Sequence, residues 1–284
     1  MALDAGRRTA PRVRMGRTAL VAALAMLGAA APGLASASGS PRSVHAPAVH
    51  LPPLPTPLVG SRPVALHSTK PPYTGSLSVP ELVWPGHEAV AARVDGVIDA
   101  WVASEVRAFA GQVTQDLLHA KNLPASLPAS QLTISFHVAE LNARVASFRL
   151  VLEPYVRGEA SPAQIPAGLT FNLATGAPYS LPSLFRAGTG YLPVLARLAT
   201  KGLQGFHPAG AHCYVGPGGP SASAKIFSAW SLAPGGLELA FPAGQYTAAY
   251  CGPPVITVPL GALRALAAPD SPLARQGAPG VDRR

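Results

Sequence analysis

The chain has 284 residues, with 22 Lys and Arg against 13 Asp and Glu, a formal charge of +9. Charged residues make up 12% of it, and the basic ones are scattered without a run of the kind that forms a nucleic-acid arm. No nucleic-acid partner is expected; mild attraction to anionic wall polymers or lipid surfaces is compatible with the charge.

The first residues direct export. Arg7, Arg8, Arg12, Arg14 and Arg17 form a basic segment, and Ala19 to Ala31 is a short apolar run. Pro32-Gly33 breaks that run, and Ala35-Ser36-Ala37 has the small-x-small pattern of a cleavage site. Residues 1–37 therefore read as a signal peptide, with Met1 or Met15 as the start. An apolar run of 13 residues is short of the roughly 20 needed to cross a bilayer as a helix. An uncleaved anchor is thus the weaker alternative. No later stretch approaches spanning length, so no transmembrane segment is expected in the mature chain. Without residues 1–37 the formal charge falls to about +5.

Residues 38–72 are rich in Pro, Ser and His and read as an extended linker, partly polyproline II. Folding is expected to begin at Tyr73. Gly75 to Val83 suits a first strand, and Pro85-Gly86 turns the chain. Val90, Val94, Val97, Trp101, Val106, Phe109, Val113 and Leu117 then recur at helical spacing, which predicts a long helix from Glu88 to Ala120 with Trp101 and Phe109 in the core. Gln131–Glu140 and Ala143–Tyr155 alternate as a hairpin, with a phase change near Ala146-Ser147 that suggests a bulge. Leu169–Ala174 reads as a strand, Ser180–Phe185 as a short helical turn, and Tyr191–Leu203 as a second amphipathic helix. Strands follow at Ile226–Leu232, Leu237–Phe241 and Val255–Val258. Leu260–Ala267 closes the domain, and 269–284 reads as a disordered tail. Strands joined by short turns and mixed with two helices predict an α+β fold with a mostly antiparallel sheet. About 200 residues suffice for one well-buried domain or two small lobes.

Cys213 and Cys251 read first as one disulfide, as an even pair in an exported chain should. The competing arrangement is a metal site in which His207 and His212 join the two cysteines, but its spacing matches no established ligand pattern. No metal and no cofactor are expected. Motifs of acyl-transfer, zinc-protease or phosphate-loop chemistry are missing. His87-Glu88 fits a helix start, and His137 a sheet surface.

Four stretches carry a resemblance to a known family. VDGVIDAWV, LTISFHVAELNARVASFRLVLEPYVRGEASP, LTFNLATGAPYSLPSLF with the following YLPVLARLATKGL, and GGLELAFPAGQYTAAYCGPPVITVPLGAL are similar to segments of the extracytoplasmic domain of RsiV-type anti-sigma factors. The same domain stands beside the catalytic domain of PdaC-type peptidoglycan deacetylases. The resemblance covers residues 73–268. It departs from the family at Arg157-Gly158-Glu159-Ala160-Ser161-Pro162, where family members often carry Gly-Gly-x-His-Pro. With about eighteen residues ahead of the apolar run, neither an anti-sigma segment nor a deacetylase domain is expected. The resemblance thus implies a secreted, non-catalytic envelope module.

The expected function is binding of an unknown envelope or extracellular ligand, either a protein or a wall polymer. The candidate surface is Tyr155, Arg157, Glu159, Tyr246 and Tyr250, polar and aromatic residues on loops and strand ends. The alternative is a cell-wall hydrolase with a dispersed active site. If the leader is cleaved as read, amino-terminal sequencing of the exported protein returns Ser38 as residue one; an intact Met1 or Met15 refutes the cleavage.

Overall fold

A computed structural model describes residues 56–119, 123–124, 126–208, 213 and 215–275. The leader, the linker through residue 55, His212 and residues 276–284 lie outside the described residues. The fold is α+β, as expected from the sequence.

Six strands form the larger sheet in chain order: β1 (Leu58–Thr69), β2 (Pro72–Val83), β3 (Ser130–Leu141), β4 (Val145–Tyr155), β5 (Ile165–Asn172) and β6 (Ala177–Pro178). Every neighbouring pair is antiparallel except β2 and β3, which run parallel from Tyr73 opposite Ser130 to Leu77 opposite Ile134. Parallel strands require a long crossover, and α1 (Glu88–His119) supplies it.

β1 corrects the expectation of a linker through residue 72. From Ser61 onward its positions alternate between exposed and half-buried, and Val64 and Leu66 pack on the core beneath α1. Pro63 and the serines of this stretch mask a period of two. Pro63 is tolerated because β1 lies at the sheet edge, where a missing N–H need not break a ladder.

One face of the large sheet is covered by α1. Val94, Ile98, Phe109 and Val113 meet Leu77, Ile134, Phe148 and Leu150 in a buried cluster. Trp101 departs from its expected place: it is half-buried at the rim of this cluster, whereas Phe109 is fully enclosed. A 32-residue helix is about 48 Å long at 1.5 Å per residue, more than a single flat face can cover evenly. At its amino end, Asp95 accepts the Leu82 N–H at 2.9 Å, and Arg62 of β1 pairs with Asp99. Burial pushes the Asp95 carboxyl above the ordinary range, against the opposing effect of that hydrogen bond.

A second sheet, β7 (Trp230–Ala233), β8 (Gly236–Ala240) and β9 (Val255–Pro259), is antiparallel throughout. It forms its own core with α2 (Tyr191–Gln204), built on Leu195, Leu203, Phe227, Leu239 and Phe241. β7 packs on the face of β3, β4 and β5 opposite α1. The expected strand from Ile226 is shorter, because Ser223 accepts hydrogen bonds from the Ile226 and Phe227 N–H groups and holds that stretch in turns.

The docking of the two sheets is polar as well as apolar. Ser147 is fully buried; its hydroxyl lies 2.7 Å from that of Thr170 and accepts the Leu232 N–H at 2.8 Å. Glu238 accepts from Arg149 and from Ser231, both at 2.8 Å. The bulge expected in β4 falls instead in β3, where Ala139 is the extra residue between Val138 and Glu140. Val145 to Phe148 are all buried because β4 is covered on both faces, which imitates a phase change in the sequence.

The carboxy-terminal region also departs from expectation. α3 spans only Leu260–Leu263, and the tail expected to be disordered from 269 contains α4 (Pro272–Arg275), whose Leu273 is buried in the second core. A four-residue helix is too short to show a readable period. Among the described residues no helix is long and apolar enough to cross a membrane.

Gly168 sits where β5 meets β7, and a Cβ there would lie 1.7 Å from the Trp230 carbonyl oxygen. Gly168→Ala should force the sheets apart and lose stability at the upper end of the roughly 1–3 kcal/mol typical of overpacking. Gly111→Ala, in open space on α1, should gain about 0.5–1 kcal/mol. Urea denaturation of the two variants measures both; similar effects would contradict the packing described.

Candidate functional site

The segment from Leu181 to Tyr191, between the large sheet and α2, shapes a groove. Ser180 caps a short 3-10 turn, Leu181–Leu184, by accepting the Ser183 N–H, while the Ser183 hydroxyl is reached by the Ser180 N–H. Leu181 and Leu184 are buried, so the turn is fixed from below. Phe185 then bridges to Ala267, and the Arg186 N–H donates to the Leu266 carbonyl at 2.9 Å. The carboxy-terminal segment thereby holds the chain as it leaves the turn.

Residues 186–190 return the chain to α2. The Thr189 hydroxyl donates to the Arg186 carbonyl at 2.7 Å, and Gly188 and Gly190 have φ of 75° and 59°. Both are left-handed conformations that glycine adopts without strain. Gly190 has no side chain with which to cap the first turn of α2. This return stacks Tyr191 on Phe185, with ring centroids 4.3 Å apart and planes 6° from parallel. Burial raises the pKa of the Tyr191 hydroxyl.

The groove measures about 400 Å³ and is walled by Pro182, the Phe185–Tyr191 stack, Arg186, Pro193 and Ala222. That size suits a small organic ligand. Arg186 is exposed, and one of its guanidinium nitrogens donates to the Ala265 carbonyl. Its other donors remain on a charged head beside an apolar, aromatic floor.

The residues selected from sequence lie elsewhere. Tyr155 ends β4 opposite Gln131 and is half-buried. Arg157 donates to the Pro124 carbonyl at 2.6 Å and lines a small cleft of about 90 Å³ with Asp116, Leu123 and Ser130. Glu159 is exposed and accepts the Val156 N–H at 2.8 Å, which closes the turn after β4. Tyr246 packs edge-on against Phe241 at 5.1 Å, and burial raises its hydroxyl pKa. Tyr250 is 74% exposed, beside Cys251. Gln164 links the two groups, donating to Glu153 at 2.9 Å and accepting through its backbone carbonyl from the Ala243 N–H at 3.1 Å. The Arg157 cleft itself contains no residue of the 246–250 segment.

Cys213 and Cys251 form a disulfide with Cα atoms 6.0 Å apart. The chain beside it is tied by the Gly216 N–H to the Tyr246 carbonyl at 3.0 Å. With both sulfurs in the bridge, the metal arrangement lacks its thiolates; His207 is exposed, and His212 lies outside the described residues. His137 is exposed on the sheet surface, and His87 stacks on Trp84 at 3.9 Å beside Glu88, which accepts the Gly86 N–H.

The groove was missed in the sequence because its parts fall between elements. Phe185 closes one predicted turn, Tyr191 opens a predicted helix, and Arg186 lies in the unread interval. The pair Gly188 and Gly190 flanking Thr189 is the signal that marks a sharp return there.

The architecture defines an α+β domain with a six-stranded sheet, one long crossover helix and a smaller second sheet. Its fold is shared with a crystallographically solved member of the DUF3298 family from Bacteroides fragilis, at a TM-score of 0.55 and 16% identity over 78% of this chain and 97% of that one. A DUF3298 family protein from Pseudomonas aeruginosa aligns with a TM-score of 0.45 and 13% identity, over 77% of this chain and 96% of that one. At 16% identity the likeness to the Bacteroides protein is one of fold. No sequence-family profile and no curated protein matches the chain.

The disulfide closes a loop across 38 positions, for which chain entropy gives roughly 3–4 kcal/mol. Reductant should lower the melting temperature and chelator should leave it unchanged. Non-reducing mass spectrometry should show one cross-linked peptide pair. Two free thiols together with chelator-sensitive stability would reverse the assignment.

Proposed function

We propose that the protein is an exported, non-catalytic binding module of the bacterial cell envelope, acting through an exposed surface on a protein or wall-polymer ligand. The observation that carries the reading is the open groove at Phe185, Arg186 and Tyr191, which offers a charged donor and an aromatic floor suited to holding a ligand. The disulfide supports an oxidising, extracytoplasmic compartment. The leader pattern of residues 1–37 supports export. The segment resemblance to the extracytoplasmic domain of RsiV-type and PdaC-type proteins supports the envelope setting, with a fold likeness that is compatible with it.

Incubation of the purified protein with peptidoglycan fragments separates this reading from the hydrolase alternative. Retention of fragments without new products is the expected result. Product release that persists through purification would replace the binding module with an enzyme. A pull-down from extracellular extract that recovers a protein in place of fragments would assign the ligand to the protein class.

A further inference from the structure

We infer that the groove between the 3-10 turn and α2 receives the C-terminal carboxylate of a peptide, with the last side chain of that peptide lying on Tyr191, which the buried Phe185 backs from the core. The inference rests on the binding-module reading and narrows it to one ligand chemistry. It begins from charge. Arg186 is the charged residue in the groove wall, and no carboxylate lines the groove among the described residues. A guanidinium has five donors in a planar fork that matches a carboxylate. The tie from Arg186 to the Ala265 carbonyl anchors the head without using the whole fork.

Shape and polarity then select the kind of anion. An inorganic ion would leave the apolar floor uncovered, since Tyr191, held from below by the buried Phe185, offers carbon surface with Pro182 and Pro193 in the same groove as Arg186. A carboxylate attached to an apolar group satisfies both parts at once. A volume of about 400 Å³ holds one or two amino-acid residues, and a groove open to solvent lets the preceding chain leave it. A peptide terminus meets all three conditions: a charge at one end, an apolar side chain beside it, and a chain that must exit.

The test titrates N-acetyl-Ala-Phe, as free acid and as C-terminal amide, into the exported chain and follows backbone amide resonances. The acid should bind with shifts centred on residues 185–193, and the amide should bind about tenfold or more weakly. Arg186→Gln should remove the preference for the acid, and Arg186→Lys should keep part of it. Because the acid–amide comparison uses the unaltered chain, it stands even if a variant fails to fold. Equal binding of acid and amide, shifts confined to other surfaces, or no binding of either would overturn the inference. So would displacement of the acid by inorganic phosphate at equal concentration, which would mark a simple anion site. Retention of peptidoglycan fragments by a chain that ignores the acid would overturn this inference alone and leave the binding module in place.

Discussion

Strand β4 is covered on both faces, and that burial is the constraint on which the rest of the molecule depends. On one face Phe148 and Leu150 enter the core under α1; on the other Val145 joins the core of the second sheet. A strand in this position cannot alternate between oil and water. It must be apolar on one side and fully satisfied on the other. Ser147 meets the second demand by bonding to both Thr170 and the Leu232 N–H, so that its own buried hydroxyl is paired. Gly168 meets a steric demand on the neighbouring strand, since the second sheet approaches closely enough to exclude a methyl group.

The groove follows from that arrangement. The chain must travel from the end of the large sheet to α2, and it does so through a turn pinned by buried leucines and by the carboxy-terminal segment. Two left-handed glycines complete the reversal and bring Tyr191 over Phe185. The stacked pair thus joins the two segments, with Phe185 in the core and Tyr191 turned to the groove. Aromatic pairs of this kind contribute about 0.5–1.5 kcal/mol beyond their burial, so the floor is held in place whether or not anything lies on it.

Much of the fold was legible because its signals were local. α1 and α2 declared themselves by period, and β3, β4, β8 and β9 by alternation and turns. What failed did so for reasons of context. β1 was hidden by Pro63, which its edge position tolerates, and by the proline-rich chain before it, and α4 by being only four residues long with Pro272 and Leu273 as its buried anchors. The β4 pattern looked like a bulge because two different cores read the same strand, while the actual extra residue, Ala139, has no sequence mark. Trp101 fell on the helical stripe but at its margin, where period alone does not separate centre from rim. Tyr155, Arg157, Glu159, Tyr246 and Tyr250 were chosen by residue type and loop position, and much of what they do in the fold is to close turns and fill edges. The groove residues belong to three successive pieces of chain, and no local pattern announces that they converge.

The disulfide has a topological effect apart from its contribution to stability. The span from Cys213 to Cys251 contains the whole of β7 and β8, so these two strands lie inside a covalent ring, with β9 beginning just beyond it at Val255. The rest of the chain, including the large sheet and α1, is attached to that ring at its two cysteines. A protease that cuts once within the ring opens a loop and releases nothing, since both new ends remain joined through the sulfurs. The second sheet can thus be nicked and still stay seated on the first.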